Sequence, residues 1–83
     1  MVEKNLALLD LKVFRLHVGE HISHDEFLQK LNELNYQEVK TVEEPGDYAV
    51  RGGIFDIYPL SYRAPIRIHF HLDQIESIRD YSL

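Results

Sequence analysis

The histidines are the first side chains to weigh for chemistry, because two of them lie close together. His69 and His71 are two residues apart, a spacing that places both imidazoles on one face of a strand and can hold a metal ion. A specific zinc site needs a third ligand nearby, and no other spacing in the sequence supplies one. We interpret both histidines as ordinary surface or edge residues, and we expect neither a metal ion nor any other cofactor.

The acidic pairs and hydroxyl groups also have explanations that do not involve catalysis. Asp25-Glu26 suits the start of a helix, and Glu43-Glu44 precedes a turn. No serine or histidine lies in a recognisable nucleophile motif. The sequence has no Gly-x-x-x-x-Gly-Lys-[Ser/Thr], so it contains no phosphate-binding loop. These observations predict a domain that is not an enzyme.

Length and composition limit the chain to one modest domain. It has 83 residues, of which 45% are apolar and 28% are charged, ordinary values for a globular domain. It has no apolar run of membrane-spanning length and no signal peptide. The absence of cysteine excludes disulfides and thiolate metal sites. We therefore expect one cytoplasmic, monomeric domain over residues 1–83, with residues 1–10 as an N-terminal extension.

The charge of the chain argues against contact with nucleic acid. Its formal net charge is -5, whereas a free-standing DNA-binding domain normally has a basic face. The nine Lys and Arg residues are scattered, and nearly all have an acidic residue within a few positions. We expect no direct DNA binding and no membrane contact.

The clearest element is a helix predicted from His24 to Leu34. Ser23 and Glu26 form a capping box, and Ile22 and Phe27 are spaced for the accompanying hydrophobic staple. An apolar stripe follows, and Asn35 is a plausible left-handed C-cap. The stripe consists of Phe27, Leu28, Leu31 and Leu34.

The rest of the chain has the composition and alternation of β-strands. Strands are predicted at residues 12–17, 36–42, 47–51, 54–58, 66–70 and 75–81. One helix packed on one face of a small, largely antiparallel β-sheet is an α+β domain.

A two-residue turn at Gly52-Gly53 predicts the register of the central hairpin. It sets Arg51 opposite Ile54, Val50 opposite Phe55, Ala49 opposite Asp56 and Tyr48 opposite Ile57, and opposite residues share a face. One face is then uniformly apolar and forms the core. It consists of Tyr48, Val50, Phe55 and Ile57.

The Glu44-Pro45-Gly46-Asp47 segment predicts a type II turn and a second hairpin. That hairpin would set Val42 opposite Ala49 and Lys40 opposite Arg51, with Val39 and Thr41 joining the core face. The opposite, outer face would be a mixed surface, which is either a solvated sheet face or a partner surface with apolar spots among charges. Its members would be Glu38, Lys40, Val42, Ala49, Arg51, Ile54 and Asp56.

Two blocks of the sequence resemble one bacterial family. The first is DYAVRGGIFDIYP at residues 47–59, preceded by Glu44-Pro45-Gly46, and it resembles a signature of the transcription-repair coupling factor. The second is PIRIHF at residues 65–70, followed by DQIESIR at residues 73–79. Together with Val18-Gly19-Glu20, the resemblance covers roughly residues 10–82. The excinuclease subunit UvrB is a sister family.

The resemblance implies a non-catalytic interaction module. In the coupling factor this domain is similar to the part of UvrB that binds the excinuclease subunit UvrA, so the implied role is to recruit UvrA in transcription-coupled nucleotide excision repair. The parent protein is an ATP-driven DNA translocase, whose motor is outside this sequence. Other domains of the parent translocase are further implied partners. Alternatives are a nucleic-acid contact, an intramolecular clamp of the parent translocase, or the same domain from UvrB.

The resemblance also implies where a partner would bind. UvrB holds UvrA largely through arginines, and the matching positions here are Glu38, Ala49 and Arg51, of which only Arg51 is basic. Lys40 supplies another positive charge nearby. The predicted partner-binding residues are therefore Arg51, Glu38, Lys40, Ala49 and Ile54.

Overall fold

Within residues 2–82, which a computed structural model describes, the chain forms one helix and eight strands. Six strands form one sheet in the order β1-β8-β7-β6-β5-β4, and β2 pairs with β3. This architecture confirms the α+β prediction. The described part contains no helix that is long and apolar enough to cross a membrane. The elements are β1 Val2–Leu6, β2 Leu8–Asp10, β3 Arg15–His17, α1 His24–Glu33, β4 Gln37–Glu38, β5 Asp47–Arg51, β6 Ile54–Ile57, β7 Ile66–His71 and β8 Gln74–Ser82.

Helix α1 begins and ends on specific caps. The Ser23 hydroxyl accepts a hydrogen bond from the Glu26 N–H at 3.1 Å. Among the hydrogen bonds of the described residues, the second bond of the predicted capping box, from Ser23 N–H to the Glu26 carboxylate, is absent. At the other end Asn35 has a φ of 65°, and Tyr36 N–H donates to Leu31 C=O at 3.0 Å. This is the Schellman pattern, so the predicted left-handed cap is confirmed.

Replacing Ser23 with alanine is expected to lower the free energy of unfolding by about 0.5–2 kcal/mol, because the Glu26 N–H loses its acceptor. Chemical denaturation followed by circular dichroism measures the change. Ser61→Ala, at an exposed turn position, is the matched control and should leave the midpoint unchanged. Equal midpoints for Ser23→Ala and the wild type would contradict the capping role.

The central hairpin has the predicted register. Arg51 pairs with Ile54, Val50 with Phe55, Ala49 with Asp56 and Tyr48 with Ile57. The apolar side of the hairpin belongs to a single hydrophobic cluster that also includes side chains of α1 and of the β2–β3 pair. Its fully buried members include Leu9, Leu16, Phe27, Leu31, Phe55, Ile57, Ile66 and Ile68.

The two glycines of this hairpin have different roles. Gly52 has a φ of 59°, as the first central residue of a type II′ turn requires. At Gly53 the neighbouring strand comes close, since Phe70 N–H donates to Gly53 C=O at 2.7 Å. A Cβ at position 53 would lie 2.9 Å from the Phe70 carbonyl oxygen, so this position accepts no larger side chain without a backbone shift.

The second predicted hairpin is wrong, although its turn is present. Asp47 N–H donates to Glu44 C=O at 3.0 Å and Gly46 has a φ of 97°, as in a type II turn. The buried Asp47 carboxylate also accepts from the N–H groups of Glu43 and Glu44, at 3.2 and 3.0 Å. These bonds bend the chain before the turn.

Strand β4 consequently contains only Gln37 and Glu38, and it runs parallel to β5, with Glu38 opposite Tyr48. Thr41, which was predicted to face the core, is exposed, and Val39 is only half-buried.

The N-terminal residues that were predicted to be an extension form strands β1 and β2. Strand β1 pairs with β8 along the edge of the main sheet, with Leu6 opposite Ile78, and Leu9 of β2 is fully buried.

The strand predicted at residues 12–17 begins only at Arg15, because Lys12 has a φ of 77° in the turn after β2. Lys12 N–H donates to the Asp10 carboxylate at 2.8 Å, which is the main reason that the pKa of Asp10 is lowered.

Candidate functional site

A shallow hollow on the outer face brings three cationic side chains together. It is lined by Lys40, Arg51 and Arg67, by Asp56, and by apolar atoms of Val42 and Pro65, and it has a volume of about 300 Å³. We call it the basic hollow. Its residues come from three parts of the chain: the loop after β4, the β5–β6 hairpin and the start of β7.

The arginine of β7 is held in place by a bidentate ion pair. Arg67 is opposite Asp56 in the sheet, and its Nε and Nη2 atoms donate to the two carboxylate oxygens at 2.7 and 3.0 Å. Such a fork restricts the guanidinium geometry strongly. The sequence prediction did not include Arg67 in the site, although the strict alternation of residues 66–70 places it on the outer face.

Of the predicted partner-binding residues, only some lie in the basic hollow. Arg51 and Lys40 are exposed and line the hollow. Ile54 is half-buried, opposite both Arg51 and His69. Ala49 lies on the same face, but only 5% of its surface is exposed. Its side chain therefore offers a partner almost no surface to contact.

Glu38 lies on the other side of the sheet, which corrects the predicted face. Its partner in register is Tyr48, and paired residues of neighbouring strands point to the same side. Tyr48 is buried on the core face, where its hydroxyl donates to Asn32 Oδ1 at 3.2 Å. The error follows from the antiparallel hairpin assumed for residues 36–51. In the observed parallel pairing Glu38 is opposite Tyr48 and so shares the core face with it.

The position of Glu38 can be tested through the ionisation of Tyr48. Burial raises the pKa of Tyr48 above its usual value of 10.0, and the negative charge of Glu38 raises this pKa further. The stabilising contribution of the neutral phenol is thus complete below pH 10 and is lost as the pH rises through the raised pKa. Glu38→Gln should lower the pKa of Tyr48, as measured by NMR titration of the tyrosine ring carbons.

Glu43→Gln is the control for this titration, because Glu43 is not among the groups that shift the pKa of Tyr48. An unchanged pKa in Glu38→Gln would show that Glu38 is far from Tyr48.

The histidines and acidic side chains of the described residues do not form a metal site. Among the residues that the structure describes, no group of three or more His, Asp or Glu side chains is placed to hold a metal ion. His69 is half-buried on β7 and His71 is exposed at its end.

Comparison with known proteins assigns the chain to a family. The family model of the UvrB interaction domain matches residues 14–82. This chain belongs to the UvrB interaction domain family. The matched region contains the basic hollow, whereas β1 and β2 precede it. The resemblance drawn from residues 47–59 is therefore confirmed.

The relatives of this UvrB interaction domain are much longer proteins. The chain is 44% identical over 68 residues to the transcription-repair-coupling factor of Staphylococcus haemolyticus (strain JCSC1435), and 37% identical over 67 residues to that of Bacillus subtilis (strain 168). These matches cover 82% and 81% of the chain but only 6% of each relative. A protein-interaction role in repair coupling fits both the family and these relatives.

Proposed function

We propose that this chain is a non-catalytic interaction module that binds the excinuclease subunit UvrA through the basic hollow, and so recruits UvrA in transcription-coupled nucleotide excision repair. The observation that carries the proposal is the gathering of Lys40, Arg51 and Arg67 in one hollow of a UvrB interaction domain. Repair takes place on cytoplasmic DNA, so the proposed site of action is the bacterial cytoplasm.

The local charge supports a specific partner surface. The chain as a whole has a formal net charge of -5, whereas three cations and one acid line the hollow. Within the described part of the chain, neither Lys40 nor Arg51 forms an ion pair. Both charges are therefore available to carboxylates of a partner, and complementary charges of this kind accelerate association and select the partner.

The apolar parts of the surface support the same conclusion. Val42 and Pro65 line the hollow between the charges, and Ile54 is half-buried beside Arg51. Protein interfaces combine such apolar contact with a polar rim. The bidentate Arg67–Asp56 pair adds rigidity, because the guanidinium is already oriented before a partner arrives.

The direct test is calorimetric titration of the cognate UvrA with the purified chain. We expect saturable binding that weakens as the salt concentration rises, because exposed charges are screened over about 10 Å at 0.1 M salt. Absence of binding at tens of micromolar would refute the proposal. In parallel, retardation of duplex DNA at about 0.15 M salt with a steep salt dependence would favour the nucleic-acid alternative.

A further inference from the structure

Asp56 is an acid that lines the basic hollow together with its cations. It lies in β6, opposite Ala49 of β5 and Arg67 of β7. Its carboxylate oxygens accept hydrogen bonds from Arg67 Nε at 2.7 Å and from Arg67 Nη2 at 3.0 Å. Because the proposed partner supplies carboxylates to this hollow, like-charge repulsion alone would make an acid here unfavourable for binding.

The exposure of the two side chains decides which of them a partner can reach. The Arg67 side chain is 35% exposed, whereas the Asp56 side chain is 21% exposed. A guanidinium has five N–H donors in a fixed plane, and the fork to Asp56 uses two of them. The other three belong to the part of Arg67 that is directed away from Asp56. A partner in the hollow therefore meets more of Arg67 than of Asp56.

We propose that Asp56 is a positioning residue of the basic hollow. It holds the Arg67 guanidinium in one orientation, and Arg67 binds a carboxylate of the partner from that orientation. Asp56 acts through Arg67 and does not itself contact the partner. This role rests on the proposed UvrA contact and deepens it, because it makes an acid favourable for the binding of an acidic group.

Two opposing effects determine the sign of the contribution from Asp56. Repulsion between partly exposed charges changes affinity by at most about fivefold, and the guanidinium of Arg67 already compensates the Asp56 charge at 2.7 Å. An arginine that is not held must be immobilised when the partner binds, which costs roughly two- to tenfold in affinity. We expect the second effect to be larger, since ion pairing reduces the first.

Asp56→Asn is the substitution that separates these effects. Asparagine has nearly the same shape, but its amide NH2 group faces one of the Arg67 N–H donors and cannot accept from it. Calorimetric titration of UvrA should show binding about three- to tenfold weaker than that of the wild type, although the variant removes a negative charge from the surface. Unchanged or tighter binding would overturn the inference.

A double-mutant cycle with Arg67→Ala tests whether Asp56 acts through Arg67. In the Arg67→Ala background, Asp56→Asn should weaken UvrA binding no further. A second loss of the same size would overturn the inference. Arg67→Lys keeps the charge but not the planar fork, so it should also weaken binding, and it tests the role of orientation even if Asp56→Asn fails to fold. Binding of Arg67→Lys at the wild-type level would overturn the inference.

A spectroscopic measurement on the free chain tests the orientation directly. In the isotope-labelled wild type, the Nε–H signal of Arg67 should differ from that of free arginine, and in Asp56→Asn it should move towards the free position. A wild-type signal at the free position would overturn the inference, because the guanidinium would then not be held.

Ser23→Ala is the control for a purely structural effect, because it lowers stability at the helix cap, outside the hollow. Its UvrA binding should equal that of the wild type. A loss as large as that of Asp56→Asn would overturn the positioning role. If Arg51→Ala weakens binding and Asp56→Asn does not, only this inference fails. Absence of binding by the wild type would refute the proposed function and, with it, this inference.

Discussion

Phe27→Ala is expected to lower the free energy of unfolding by about 3–5 kcal/mol, which is the usual cost of emptying a fully buried phenylalanine site. Phe27 has no exposed surface. Its ring centroid lies 5.3 Å from that of Phe55 and 5.9 Å from that of Phe70. It is therefore one of the contacts through which α1 packs on the centre of the sheet.

The expected loss is large relative to the whole, because small domains have total stabilities near the lower end of about 5–15 kcal/mol. Urea denaturation followed by circular dichroism measures it. Val13→Ala is the control, since Val13 is 80% exposed and surface changes stay within about 0.5 kcal/mol. Similar midpoints for the two variants would mean that α1 is not packed on the sheet as described.

Arg51→Ala is expected to weaken UvrA binding by roughly 2 kcal/mol, about thirtyfold, as loss of a central interface arginine does. Arg51 is at the end of β5, beside the tight Gly52-Gly53 turn, and is exposed on the wall of the basic hollow. Its planar fork can grip a partner carboxylate with two hydrogen bonds. Calorimetric titration at two salt concentrations measures the loss, which should be larger at low salt.

Two variants make this result specific. Arg15→Ala removes an exposed arginine from the small β2–β3 pair and should leave UvrA binding unchanged. Glu38→Arg adds a positive charge on the core-face side of the sheet, away from the hollow, and is expected to have little effect. If Arg51→Ala binds like the wild type while both controls also bind normally, the partner surface is elsewhere on the domain.

Local sequence patterns were sufficient for the helix and the central hairpin. The Ser23 cap, the apolar stripe and the Asn35 terminus depend on residues within a few positions of one another, and so does the Gly52-Gly53 turn. Short-range steric and hydrogen-bonding rules are enough in such cases. Arg51 could be assigned to the outer face by alternation alone.

The loop before β5 depends on a contact that alternation does not reveal. Asp47 reads as a turn residue, but its buried carboxylate binds the N–H groups of Glu43 and Glu44 and bends the preceding chain. The pairing of β4 with β5 therefore becomes parallel, and Glu38 changes faces. Lys40 nevertheless reaches the predicted neighbourhood of Arg51, because the bent loop passes along the hollow.

The position of Arg67 in the hollow depends on the pairing of β6 with β7, whose register the sequence did not predict. The β6–β7 register sets Arg67 opposite Asp56, and residues 58–65, which connect the two strands, contain no short turn motif that fixes this register. The N-terminal strands were missed for a similar reason, since β1 pairs with β8 from the opposite end of the chain.

Strand β1 also determines how short a soluble version of this domain can be. A fragment beginning at residue 14, where the family similarity begins, would open the edge of β8 that β1 covers, from Ile78 to Ser82, and would remove the buried Leu9. Open strand edges pair with those of other molecules and promote aggregation. We therefore expect the smallest unit that stays monomeric to be longer than the region that the family model matches. A protein that begins at residue 14 is expected to keep the basic hollow but to self-associate through the open edge of β8.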